Sequence, residues 1–410
     1  EPSAYQLAFR LTIKGPLDES AVEWSIRRIL EGNPVLRTRF DLERLQCLEG
    51  DYPIEAIPIE RLTAFSPDGG KNTLSDRRLL ELISTPEMDV EHSPLICFHL
   101  ISLTTQRHIL LGRVHHTVFD HDAIGLFFHQ FVDYVRAYSA GDRSYRIGSE
   151  ERYLRYRQQQ RRTKDQCYLR ERQFWLDKME DYLAAGADAT AFPLSDSLDG
   201  ENYWCILSDT LTQAIKHYAQ QHRTTPFVCM LTAFTQLLKT TNYRHVPIGI
   251  PVSNRMLTEN ATTIGCFVNM VAYYDDAPAQ ESFSTLLARS QNKVHAILDN
   301  QTLPYDVLMA DVRAKGWSDK LRFPVSFNYL TAMPPAVQIN ETAYQITDIA
   351  NHQARLDLTL SVYDDEALTL CFNYQQAAFN AEEIAALSHQ YHQILMDIVE
   401  PNTSILCSNL

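Results

Sequence analysis

The pattern that most restricts this chain is a switch of hydrophobic period, from two residues to 3.6 and back, repeated on both sides of a polar stretch. "YQLAFRLTI" alternates, with Leu7, Phe9, Leu11 and Ile13 on one side, as a half-buried strand does. After the turn "KGPLD", "ESAVEWSIRRIL" sets Val22, Ile26, Ile29 and Leu30 on one helical face, with Ser20 and Glu23 at capping-box spacing. "LRTRF" resumes as a strand, and "LICFHLISL" and "HILLGRV" flank the turn "TTQR" as a hairpin. Ile124, Phe127, Phe128, Phe131 and Val135 mark a helix that ends near "SAGD". "ERQFWLDKMEDYLAA" is helical, and "GADATAFPLSDSLDGEN" reads as a linker. The alternation then restarts: "YWCILS", two helices, the strands "HVPIGIPV", "FVNMVAYY", "RFPVSFNYL", "LDLTLSVY" and "LTLCFNYQ", and the closing helix "AEEIAALSHQYHQILMDIV". Such a chain folds as two α/β lobes, mixed sheets flanked by helices. The expected division is an N-terminal lobe over 1–165, a helix and linker over 166–200 and a C-terminal lobe over 201–410.

Composition narrows the partners. Of 410 residues, 37 are Lys or Arg and 51 are Asp or Glu, a net charge of −14, which argues against nucleic acid or an anionic membrane as the main partner. No apolar run reaches the roughly 18 residues of a membrane helix. "EPSAYQLAFR" lacks the charged-then-apolar pattern of a secretory signal. The eight cysteines form no CxxC pair, so reduced thiols in a cytoplasmic protein are expected rather than a disulfide framework or a zinc site.

"RVHHTVFDHDAIG", from Arg113 to Gly125, carries three histidines and two aspartates at the junction of a predicted strand and helix. Loops at strand ends are where a rigid scaffold presents reactive groups. Imidazole is the side chain best suited to move a proton near neutral pH. On residue type alone the loop is equally readable as a metal site or as solvated polar residues. Adjacent side chains at a strand end diverge, however, which disfavours shared metal ligation by His115, His116 and Asp120. No nucleophile motif such as G-x-S-x-G occurs.

The pattern His115-His116-x-x-x-Asp120 resembles the HHxxxD signature of condensation domains of nonribosomal peptide synthetases, within the chloramphenicol acetyltransferase-like acyltransferases. "GPLDESAVEWSIRRILEGNPVLRTRF", "GIPVSNR", "IGCFVNM", "LPYDVL", "FPVSFNYL" and "FNYQQAAFNAEEIAAL" are similar to further segments of that family, in the same order and over nearly the whole chain. The chain departs from the family pattern in five ways. His121 stands where Gly is usual, Arg155 replaces an acidic residue in "YLRYRQQQ", Tyr274 replaces an Arg, Asn33 replaces a His, and the motif before the opening strand is missing.

The resemblance implies a V-shaped pair of chloramphenicol acetyltransferase-like lobes with the active site between them. It implies no bound cofactor and no metal. Donor and acceptor carrier-protein domains would bring small-molecule acyl and amine substrates on phosphopantetheine arms, and the amine would attack the thioester to form an amide. His116 would be the catalytic imidazole and His115 a supporting one. Asp120 would hold the loop through a bidentate ion pair with Arg255, or with Arg37 as the second candidate. His121 would sit at the channel and influence substrate choice, a left-handed backbone at that position being one reason for the usual Gly. The basic run of Arg152, Arg155, Arg157, Arg161, Arg162 and Lys164 reads either as a solvated helix face or as a docking site for an acidic carrier. Three alternatives stay open: a degenerate domain that recruits a partner without catalysis, an acyltransferase that makes an ester or takes a soluble acceptor, and an epimerisation domain, for which no matching glutamate motif is seen.

Overall fold

The computed structural model describes residues 5–44, 46–63, 88–147, 152–162, 168–192, 197–255, 258–275, 281–350 and 353–399. The strands are β1 (Gln6–Lys14), β2 (Arg39–Asp41), β3 (Gln46–Leu48), β4 (Ile59–Thr63), β5 (Ile96–Thr104), β6 (Arg107–His115) and β7 (Gly200–Ile206). They continue with β8 (Ile248–Ser253), β9 (Val268–Tyr273), β10 (Val325–Thr331), β11 (Val337–Ile339), β12 (Thr342–Ile349), β13 (Leu358–Asp364) and β14 (Leu368–Gln375). The longer helices are α1 (Glu19–Gly32), α2 (His121–Ser139), α3 (Arg152–Arg162), α4 (Leu169–Ala184), α5 (Asp209–Gln221), α6 (Pro226–Leu238), α7 (Phe283–Leu298), α8 (Tyr305–Ala314) and α9 (Ala381–Val399). Among the described residues no helix is long and apolar enough to cross a membrane.

Two compact α/β units result. The first takes residues 1–162, 255–267 and 333–351, and the second takes 163–254, 268–332 and 352–410. This differs from an uninterrupted C-terminal lobe over 201–410. Two excursions from that half belong to the first unit, because β12 hydrogen-bonds to β1 and Arg255–Phe267 folds against the HHxxxD loop. The segment read as a linker is also packed where it is described. Ala187 and Ala189 are buried in the second unit, and the N–H groups of residues 187, 188 and 189 donate to Tyr182, His245 and Lys320 carbonyls.

In the first unit the sheet order is β11-β12-β1-β6-β5-β4, antiparallel except for the parallel β4–β5 pair. Phe9, Leu11 and Ile13 of β1 pack with Ile26 of α1 and Phe127 and Phe131 of α2. The period-two pattern of β1 therefore meets the helical stripes of α1 and α2 in one core. The hairpin around "TTQR" forms as β5 and β6. Asp18, not Ser20, caps α1, accepting the Ala21 N–H at 2.9 Å, because the helix starts at Glu19 and places Ser20 inside its first turn. "LRTRF" divides into a 3-10 turn at Pro34–Arg37 and the short β2.

The second unit has the order β7-β14-β13-β10-β8-β9, with β10 parallel to both β13 and β8. Phe327 and Phe372 of its sheet pack with Phe234 of α6 and Tyr391 of α9. Here Asn269 joins two of the quoted motifs. Its amide donates to the carbonyls of Gln301 and Leu303 at 2.8 and 2.7 Å, and its Oδ1 accepts the Tyr305 N–H at the start of α8.

Gly112 of β6 lies opposite Phe9 of β1, and a Cβ there would stand 2.1 Å from the Phe9 ring. Phe9 is fully buried and its ring centre lies 4.8 Å from that of Phe127, so the ring has nowhere to retreat. Gly112→Ala is expected to cost about 1–3 kcal/mol, the usual penalty for overpacking a tight core. Urea denaturation checks it, and an unchanged midpoint would mean that Phe9 has room to move.

Candidate active site

Two backbone bonds place the histidines. The His115 N–H closes the end of β6 on the Leu95 carbonyl at 2.8 Å, and the His116 N–H donates to the Tyr5 carbonyl at 2.6 Å. The chain then turns, with the Val118 N–H on the His115 carbonyl. The two imidazoles part company at this point. His115 is buried, and its Nδ1 lies 2.9 Å from Thr117 Oγ1 and accepts the Thr117 N–H at 3.3 Å. His116 is half-buried, with Nδ1 3.8 Å from Cys266 Sγ. Among the described residues, no group of three or more His, Cys, Asp or Glu side chains is arranged to hold a metal ion.

Asp120 is the fixed point of the loop. It caps α2 from an extended backbone, with Oδ1 accepting the Ala123 N–H at 3.0 Å. The same oxygen accepts Arg255 Nη2 at 2.7 Å, and Oδ2 accepts the Phe267 N–H at 2.9 Å. Carboxylate and guanidinium are both buried, at 6% and 8% side-chain exposure, so each depends on the other's charge. The pair is not bidentate. Arg255 Nη1 donates to the carbonyls of Asn260 and Thr263, and Nη2 also reaches that of Gly265. Its guanidinium lies 4.3 Å over the Phe267 ring. One arginine thus gathers the backbone of a loop and delivers that loop to Asp120.

Arg37 does not reach Asp120. It binds the carbonyls of Leu30 and Gly50 at 3.0 and 2.7 Å, holding α1 to the turn after β3, and burial lowers its pKa. Its place in "LRTRF" signals structure rather than the loop's counterion.

His121 is the first residue of α2. Its backbone is helical, so the left-handed conformation that would demand Gly is absent, and the departure from the family pattern lies in the side chain, which adds both bulk and a polar ring. The ring is half-buried, with Nε2 buried. Asp122, next in sequence, sits 3.6 Å from Arg255 Nε.

Two residues gain weight from the structure. Tyr153 donates its hydroxyl to the Cys266 carbonyl at 3.0 Å, and its ring lies where a Cβ on Gly265 would stand, at 2.3 Å. Gly265 is therefore a close-approach glycine. Burial pushes the Tyr153 phenol far above its ordinary pKa, keeping it a neutral donor. Cys266 lies in the quoted "IGCFVNM", but spacing alone cannot show that its sulfur faces His116. The basic run is not a uniform face. Arg157 turns inward to Glu49 at 3.1 Å, Arg152 reaches Thr262, and Arg155 is exposed. The side chains of Arg161 and Arg162, and all of Lys164, lie outside the described residues.

Residues 1–407 match the family model of the condensation domain. The chain belongs to the condensation domain family. This condensation domain is 23% identical over 399 residues to surfactin synthase subunit 2 of Bacillus subtilis (strain 168), covering 96% of this chain and 11% of that protein. It is 25% identical over 407 residues to chondramide synthase cmdD of Chondromyces crocatus, covering 97% of this chain and 10% of the other. The chain therefore spans 11% or less of the length of these two curated relatives. Among solved structures, the first condensation domain of the calcium-dependent antibiotic synthetase, in complex with substrate analogue 3a, aligns with TM-score 0.81 at 15% identity over 100% of this chain and 94% of that one. The condensation enzyme VibH aligns with TM-score 0.76 at 15% identity over 96% and 91%. Both likenesses show the shared fold. Condensation domains of nonribosomal peptide synthetases are amide-bond-forming acyltransferases.

Asp120→Ala and Arg255→Ala each strand a buried charge and are expected to cost about 3–5 kcal/mol. The double mutant is expected to be no less stable than the poorer single. Chemical denaturation of all four proteins closes the cycle, and strict additivity would show that the two side chains do not couple.

Proposed function

We propose that this condensation domain joins a carrier-bound acyl or peptidyl thioester to an amine acceptor, forming an amide bond in nonribosomal peptide biosynthesis. The observation that carries the reading is the place of His116 just after β6, in a loop closed by the buried Asp120–Arg255 ion pair, in a chain whose residues 1–407 match the family. In the reaction the amine nitrogen attacks the thioester carbonyl, the C–N bond forms and the C–S bond breaks. The carrier thiol leaves, and the nitrogen gives up one proton. His116 accepts that proton or holds the amine by a hydrogen bond, a contribution worth roughly 10²–10⁴-fold. The remaining acceleration comes from holding amine and carbonyl together. Asp120 and Arg255 act through His116, by fixing the loop that carries it.

Donor and acceptor substrates arrive on phosphopantetheine arms of carrier-protein domains, as expected of a segment whose relatives are synthetases many times its length. The exposed Arg155 belongs to the surface that receives an acidic carrier. Cytoplasmic residence is part of the same proposal. His121 takes up volume at the start of α2, one residue from the loop's anchor, and there narrows the space open to the acyl donor.

His116→Ala is expected to lower amide formation by roughly 10²–10⁴-fold with an unchanged melting curve. The measurement is a reaction with loaded donor carrier and a panel of free and carrier-bound amines and alcohols, read by product mass. Unchanged turnover would end the catalytic role of His116, and a product found only with alcohols would replace the amide by an ester. His121→Gly is expected to raise the ratio of rates for bulky over small donors. An equal ratio in both proteins would make His121 a bystander.

A further inference from the structure

We propose that Cys266 is a positioning residue for His116, its sulfur setting both the rotation of the imidazole and the tautomer that leaves Nε2 able to take a proton. The inference rests on the reading of His116 as the working imidazole. It starts from a chemical requirement. A neutral imidazole carries one proton, and the nitrogen that holds it cannot act as a base. Which nitrogen that is depends on what the other one faces. A ring with the proton on Nδ1 has its lone pair on Nε2.

Cys266 Sγ lies 3.8 Å from His116 Nδ1, within reach of an N–H to sulfur hydrogen bond. The sulfur is placed by more than its own side-chain torsion. The Cys266 carbonyl accepts the Tyr153 hydroxyl at 3.0 Å. The residue before it is held through the Gly265 carbonyl by Arg255, and the residue after it donates its N–H to Asp120. Three side chains therefore pin three consecutive residues, and the thiol between them has little backbone freedom. His116 is equally restrained from its own side, because its N–H is tied to Tyr5 and its loop ends at the same Asp120 carboxylate. Asp120 thus braces both members of the contact.

The neighbouring imidazole shows the opposite arrangement. His115 Nδ1 faces the Thr117 N–H at 3.3 Å and the Thr117 hydroxyl at 2.9 Å, an arrangement that favours the tautomer with the proton on Nε2. In that tautomer His115 offers a donor at Nε2, whereas a His116 that gives its Nδ1–H to sulfur offers an acceptor there. Two histidines adjacent in sequence thereby acquire different chemistry from their partners. Sulfur is a weak acceptor, so the bond biases the ring without holding the proton tightly.

The test uses the full chain with 15N-labelled histidine, in wild type, Cys266→Ser and Cys266→Ala, read by nitrogen chemical shifts and by amide-forming kinetics. The expected wild-type spectrum has His116, assigned by its loss in His116→Ala, with the proton on Nδ1. Cys266→Ala is expected to populate both tautomers and to lower kcat roughly tenfold, the low end for removing a partner that orients a functional histidine, with KM within about twofold. Cys266→Ser keeps a hydroxyl in place of the thiol and is expected to restore both readings. A wild-type His116 protonated on Nε2 overturns the proposal, as does a Cys266→Ala protein with an unchanged tautomer and kcat. If Cys266→Ala does not fold, the wild-type and Cys266→Ser spectra still decide. The nitrogen shifts are measured without substrate, so an incorrect choice of reaction appears as absent turnover and leaves the tautomer result standing.

Discussion

The arrangement around the HHxxxD loop depends on one buried carboxylate. Asp120 is removed from water and must be repaid by donors of fixed geometry. The structure supplies three: the Ala123 N–H, Arg255 Nη2 and the Phe267 N–H. They come from three places in the chain, the first turn of α2 and the two ends of the Arg255–Phe267 excursion. A single charge therefore terminates a loop, starts a helix and holds a distant segment in place. The position of His116, and that of the sulfur beside it, are consequences of this junction rather than of any bond either side chain makes alone.

Local signals in the sequence were legible where one element decides its own form. The alternation of "YQLAFRLTI" became β1, the short "TTQR" turn fixed the β5–β6 hairpin, and the Phe127–Phe131 stripe became the buried face of α2. The family resemblance offered Arg255 as the partner of Asp120, with Arg37 as the second candidate, and the nitrogen and oxygen of the first pair lie 2.7 Å apart. What stayed hidden was decided by partners remote in sequence. Arg37 has the right charge for Asp120, yet the carbonyls of Gly50 and Leu30 claim its donors. Arg157 sits in a basic run but turns inward to Glu49. The polar composition of "GADATAFPLSDSLDGEN" suggests a linker, while its Ala187 and Ala189 are buried in the second unit's core. Ser20 and Asp18 are both competent caps, and only the observed helix start chooses between them.

The excursions explain why a two-lobe reading was right in kind and wrong at its boundaries. Among the described residues of Arg255–Phe267 the short helix Thr258–Ala261 is the one regular element, so periodicity says nothing about where the segment packs. Its allegiance is written instead in single groups: an arginine that gathers carbonyls, a glycine that admits the Tyr153 ring, and one N–H aimed at Asp120. "AYQITDI" has a strand's alternation, and its partner β1 lies more than three hundred residues earlier. Neither kind of signal can be scored in a local window.

That last pairing bears on how the chain comes to be folded during synthesis. β1 leaves the ribosome well ahead of β12, its neighbour on one side, which follows only after some three hundred further residues. At about 5–20 residues per second the delay is on the order of tens of seconds. Throughout it, one edge of β1 presents unpaired N–H and C=O groups, the template through which nascent chains join one another. The sheet of the first unit is therefore complete only once residues 342–349 have been made, after most of the second unit. Cutting the chain between the apparent lobes would leave that edge of β1 unpaired.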